Sequence, residues 1–252
     1  MTTQGERMIN LTIQSQPDGE TCGPTSLHAV YQYYGLNCTL KDVIGTVERT
    51  ISGGSLAAYL GKDALTRNFS ATIYVNNLIV FDPTWFKHGQ CTNDLLIKKL
   101  QLRMQFKENA EIIQACNAYI EFLKLGGEVK FETLNTQLLK KYFDQSIPIL
   151  TGLSATYLYN SARYVYIDGE AFHNDIEGDP CGHFVLLCGY DDSKHHVIVA
   201  DPHEENPLSH DNYYAVNIHR LINSIMLGVL TYDANLLIIQ PKKDLNENNF
   251  GH

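Results

Sequence analysis

The sequence predicts an α+β fold, and three observations carry that reading. Helical apolar spacing dominates the first 143 residues, β-branched apolar runs dominate the remainder, and no regular strand–helix alternation links the two. Residues 21–34 place Leu27, Val30, Tyr31 and Tyr34 on one side of a helix, and Gly35 stops it. Further helices are expected at 94–106, at 110–125 before Gly126-Gly127, and at 134–143. Strands are expected at 71–81, 147–151, 183–190, 196–200 and 236–240, where apolar and β-branched residues cluster. Residues 153–182, rich in Tyr, Asp and Gly and without clear period, read as a long loop or insertion of the kind that borders a site.

The chain has 252 residues, 44% of them hydrophobic and 19% charged, which suits a folded protein with a substantial core. No repeat or low-complexity linker divides it, so one domain over residues 1–241 is expected, with insertions at 51–143 and 153–182. The polar stretch 242–252 reads as a flexible tail. A formal charge of −9 with scattered Lys and Arg argues against nucleic acid as a partner. No basic-then-apolar leader begins the chain and no run approaches the ~18 apolar residues of a membrane span, so a cytoplasmic protein with no membrane partner is expected. The six cysteines, at 22, 38, 91, 116, 181 and 188, form no dense framework and no CxxC pair, which fits reduced thiols.

The chemistry is concentrated in two segments. In Gln16-Pro-Asp-Gly-Glu-Thr-Cys22-Gly-Pro, a turn-rich run delivers a cysteine to a helix start, where unpaired N–H groups and the helix dipole favour thiolate over thiol. Gln16 lies close enough for its amide to join the Cys22 backbone N–H in holding an oxyanion. In Gly182-His183-Phe-Val-Leu-Leu-Cys188-Gly-Tyr190, a histidine opens an apolar strand. The following Val197-Ile-Val-Ala-Asp201-Pro202 returns after a polar turn, bringing Asp201 toward His183 as a hairpin would. His183 is the candidate base for Cys22, and Asp201 the candidate that fixes its tautomer.

These two segments resemble the papain-like cysteine peptidases, most closely the bacteriocin-processing (double-glycine) peptidase-like family, cysteine peptidase family thirty-nine. The resemblance rests on Gln-x5-Cys-Gly-Pro ending in Tyr33-Tyr34-Gly35, and on His183 to Pro202. It implies a papain-like fold with an N-terminal catalytic helix packed on an antiparallel sheet. It also implies hydrolysis of a peptide or amide through a thioester acyl-enzyme, with Gln16, Cys22, His183 and Asp201 as oxyanion, nucleophile, base and orienting residues. The chain lacks the membrane region and the nucleotide-binding loop of exporter-fused relatives, which speaks against leader-peptide cleavage. A second resemblance, to phytochelatin synthase with its Gln-Cys-His-Asp order, keeps acyl transfer to an amine open. A peptide-binding protein of the same fold without turnover is the reading from a different class.

The blander readings have their place. The other five cysteines read as small apolar packing residues, and Asp82-Pro83-Thr84-Trp85-Phe86, with the only tryptophan, reads as packing too. A zinc set drawn from Cys181, His195, His196 and His203 matches no familiar ligand spacing, so no metal and no cofactor are expected. Tyr157, Tyr159, Tyr164 and Tyr166 suit either a peptide cleft or core packing.

Overall fold

The structure is a computed structural model that describes residues 6–88, 90–167, 170–209, 211–231 and 234–242. Its frame is an eight-stranded sheet built from strands far apart in sequence. β1 is Glu6–Met8, β2 Phe69–Val75, β3 Glu128–Lys130, β4 Ile149–Ser154, β7 Gly182–Asp191, β8 His196–Ala200, β9 Tyr213–Asn217 and β10 Asn235–Pro241. The order across the sheet is β3-β2-β10-β4-β7-β8-β9, with β1 paired to β7. All pairings are antiparallel except β2 with β3. A separate hairpin joins β5 (Tyr164–Ile167) to β6 (Glu170–His173).

Eight helices complete the chain among the described residues: α1 Cys22–Tyr33, α2 Leu40–Thr46, α3 Ala57–Thr66, α4 Asn93–Met104, α5 Ala110–Lys124, α6 Thr136–Phe143, α7 Ala155–Tyr159 and α8 Ile218–Leu227. The α+β class stands. None of these helices is long and apolar enough to cross a membrane. Side-chain caps set several starts: Thr39, Thr92, Asn109 and Asn135 each accept a backbone N–H from the first turn. The predicted α1, α4, α5 and α6 are present to within a residue or two.

Three expectations need correction. The strand expected at 71–81 ends at Val75, because Asn77 turns the chain by accepting Ile79 N–H at 2.9 Å on its side chain. Residues 153–182 are not a plain loop: they finish β4, form α7 and the β5–β6 hairpin, and enter β7. Helices do not all precede strands, since α7 and α8 come late. Of the expected tail, residues 243–252 lie outside the described residues.

Two features of the core position the candidate site. β7 is buried along nearly its whole length, so its continuous apolar run is that of a strand covered on both faces. Helix α1 lies tightly on it: a Cβ at Gly23 would sit 3.3 Å from both Leu60 and Phe184, and Ser26 Oγ donates to the Phe184 carbonyl at 3.3 Å. The close approach that glycine permits brings the start of α1 to the start of β7.

Candidate active site

Cys22 is the first residue of α1, half-buried, and its N-cap residue Thr21 lends no side-chain hydrogen bond to the first turn. The first-turn N–H groups are therefore not consumed by a side-chain cap. His183 stands second in β7, buried, and Asp201 directly follows β8, fully buried. His183 Nε2 and Asp201 Oδ1 are 2.7 Å apart. The Cys22 sulfur is near enough to act electrostatically on the imidazole.

Strand register explains why Asp201 meets His183. At the turn, Asp191 pairs with His196, but farther along Leu187 pairs with Val199 and Leu186 with Ala200. The shift between Leu187 and Gly189 is a bulge that admits Cys188 as one extra residue. Extended one residue, this register sets Asp201 opposite Val185, on the same face as His183. Without the bulge Asp201 would oppose Leu186 and face the other side of the sheet.

The Asp201 carboxylate is saturated with donors. Besides His183, its Oδ1 accepts the His203 backbone N–H at 2.9 Å, and its Oδ2 accepts the hydroxyls of Tyr159 and Tyr214, each at 2.7 Å. Tyr159 comes from the end of α7. Tyr214 comes from β9, where pairing with Val199 turns it to the same face. Tyr159 is thus a carboxylate ligand rather than a cleft wall, and Tyr214 escaped the sequence reading. The alternation of Tyr213-Tyr214-Ala-Val-Asn was the one signal for a half-buried strand there. Of the other tyrosines singled out, Tyr157 is exposed and Tyr164 packs on His173, with ring centroids 4.4 Å apart. Tyr166 lies on β5.

Electrostatics follow from this geometry. Burial opposes charge on His183, but the Asp201 charge, the Cys22 sulfur and its hydrogen bonds to both outweigh burial and hold the imidazole well above the usual histidine range. Burial likewise works against ionised Asp201, yet the His183 charge and the hydrogen bonds from His183, Tyr214 and Tyr159 keep its carboxyl below the usual range. Tyr159 and Tyr214, raised by burial and by the carboxylate, remain neutral donors. His203 is pushed down, first by burial and then by the neighbouring His183 charge. Cys181 is a half-buried thiol pushed up by partial burial.

Gln16 joins the site through its backbone, whose N–H donates to the Pro202 carbonyl at 2.8 Å, beside Asp201. Its side-chain Nε2 donates to the Asp18 carbonyl at 2.6 Å, which occupies one of the two amide protons, and its Oε1 is buried without a partner. Of the four residues singled out in sequence, His183 and Asp201 are in direct contact, the Cys22 sulfur acts on His183, and Gln16 is tied to the segment after Asp201. None of the six cysteines is in a disulfide. Among the described residues no three His, Cys, Asp or Glu side chains are grouped as a metal would require.

The family model described as Peptidase_C39 like family matches residues 8–221. The chain belongs to that family. The match runs through both chemical segments and the stretch between them, so this is a cysteine-peptidase-like chain over most of its length. Similar solved structures include a double glycine motif protease from an AMS/PCAT transporter in complex with the leader peptide. It has a TM-score of 0.43 and 14% identity over 94% of this chain and 95% of that one. The peptidase domain of Streptococcus ComA, a bi-functional ABC transporter involved in a quorum sensing pathway, has a TM-score of 0.42 and 10% identity over 91% and 98%. Xylellain, a cysteine protease from Xylella fastidiosa, has a TM-score of 0.43 and 14% identity over 95% and 87%. No curated protein matches the chain.

Proposed function

We propose that this Peptidase_C39 like chain is a thiol peptidase or amidase in which Cys22 attacks the substrate carbonyl, His183 moves the proton and Asp201 orients His183. The observation that carries the reading is the buried His183–Asp201 contact at 2.7 Å, with the Cys22 sulfur acting on the same imidazole. The raised imidazole supplies a positive charge beside the attacking sulfur and a proton for the leaving amine. The thiolate adds to the carbonyl carbon, and the electron pair moves to oxygen. The Cys22 backbone N–H and the remaining Gln16 amide proton hold that oxyanion. Collapse expels the amine, which takes its proton from His183 and leaves a thioester on Cys22. Water, giving a proton to His183, attacks the thioester and releases the acid and the thiolate.

Residues 1–241 act as one catalytic domain in this proposal, because a single sheet draws strands from Glu6 to Pro241. Its setting in this proposal is the cytoplasm, a reducing compartment that suits six unpaired thiols.

The test is alkylation by iodoacetamide across pH, read at Cys22 by peptide mass mapping, in wild type and in His183→Ala, with Cys22→Ala as the blank. Cys22 is expected to react at mildly acidic pH, where a free thiol is inert, and to lose that reactivity in His183→Ala. A Cys22 that follows a free thiol's profile in both proteins overturns the reading. Acyl products collected with and without an added amine then decide between water and amine as the acceptor.

A further inference from the structure

A second site lies on α4, built from residues that the chemistry at Cys22 does not use. A groove of about 350 Å³ is lined by Trp85, Lys99, Leu102, Arg103, Phe106 and Lys107, a volume at the lower end of ordinary ligand sites, which run from roughly 300 to 1,000 Å³. Lys99 and Arg103 stand four residues apart as a cationic ridge on α4, beside Leu102, and Phe106 and Lys107 follow in the turn after the helix ends at Met104. Phe106 is 81% exposed and Leu102 44%, so apolar surface is open to solvent beside the cations.

None of these three cations takes part in a salt bridge among the described residues, although the chain as a whole carries a formal charge of −9. Arg103 donates through one terminal nitrogen to the Ile79 carbonyl, and its Nε is buried with no partner. Asp82, an acid that feels both Arg103 and Lys99, has its Oδ1 committed to the Thr84 backbone and hydroxyl. Trp85, whose indole packs edge-on against Phe81, completes the apolar part of the lining.

We propose that this groove binds an extended acidic peptide segment in which carboxylate and bulky apolar side chains alternate. The spacing fits. Lys99 and Arg103 are separated by about 6 Å along the helix axis, and alternate side chains of an extended chain are separated by roughly 6.6 Å. Carboxylates at alternate positions meet the cationic ridge, and the intervening apolar side chains fall toward Leu102, Phe106 and Trp85. The site stands apart from the peptidase reading, because binding is measured in the absence of turnover.

Trp85 is the only tryptophan, so its fluorescence reports this groove alone. The probe is the blocked peptide acetyl-Asp-Phe-Glu-Leu-Glu-amide, titrated into full-length Cys22→Ala protein. The control is its uncharged counterpart, acetyl-Asn-Phe-Gln-Leu-Gln-amide. A saturable change in Trp85 emission is expected with the acidic peptide, weakened by added salt. Lys99→Gln and Lys107→Gln, whose side chains hold no hydrogen bond among the described residues, are each expected to weaken it about threefold to fivefold. Arg103→Gln is expected to weaken it as well, because it removes the charge whose free terminal nitrogen faces the groove beside Lys99. Equal binding of the uncharged peptide, unchanged affinity in both lysine variants, or equally tight binding of phenylacetate would each overturn the proposal, as would the absence of any saturable change.

Discussion

Asp201 has no exposed surface and four donors, and its two oxygens divide the work: one holds His183 and a backbone N–H, the other holds two tyrosines. A carboxylate so placed keeps its charge, and the pair it forms with His183 makes stability depend on pH in both directions. His183 is raised, so its contribution is complete below the ordinary histidine value of about 6.5 and is lost as pH climbs through its folded value. Asp201 is lowered, so its contribution is complete above the ordinary aspartate value of about 3.9 and is lost as pH falls through its folded value. Both are therefore intact together between about pH 4 and 6.5. Urea unfolding of wild type and Asp201→Asn at a series of pH values measures this. The stability difference should be largest inside that window and shrink on either side; a difference that grows steadily with pH above neutrality would contradict the pairing.

At the scale of elements, what was legible in the sequence was whatever a local period or a local breaker carries. The helix from Cys22, the helices before and after Asn109, and the paired runs 183–190 and 196–200 all announce themselves within a dozen residues. The bulge at Cys188 does not, because a bulge is set by how two strands register and not by either alone. The hairpin argument for Asp201 reached the right neighbour without the extra residue that turns the side chain to the right face. Tyr159 and Tyr214 were likewise illegible as carboxylate ligands, since they come from α7 and β9 and meet Asp201 only through tertiary contact. The bulged stretch also seats β1: a Cβ at Gly189 would lie 2.5 Å from the Arg7 carbonyl oxygen, a backbone atom with little freedom to yield. Gly189→Ala should therefore unseat β1 and cost about 1–3 kcal/mol in urea unfolding. Hydrogen exchange at Ile9, whose N–H donates to the Cys188 carbonyl at 2.7 Å, should become faster. Unchanged exchange at Ile9 would show that the edge accommodates the methyl.

For the whole molecule, the decisive fact is the place of the last strand. The apolar run 236–240 read as a strand, but nothing local to it says that it lies in the middle of the sheet, between β2 and β4. Its residues Leu236 to Ile239 are at most 3% exposed, and its register ties Leu237 to Ile73 on one side and to Leu150 on the other. Within the sheet, β10 alone joins the β2–β3 pair to the half that carries His183 and Asp201. The core therefore closes only when residues some 160 apart in sequence come together, a long-range requirement that slows folding and makes it all-or-none. A chain ending at residue 234 should fail to form either half: removing a central strand leaves two unpaired edges and strips cover from α3, which packs on β2 and β10. Cys116, fully buried on α5 against that layer, is the reporter. In the intact protein it should resist a thiol reagent until denaturant is added. In the truncated chain it should react at once, and thermal unfolding should lose its cooperative transition. A truncated chain that still protects Cys116 and melts cooperatively would mean that the two halves of the sheet are separable folding units.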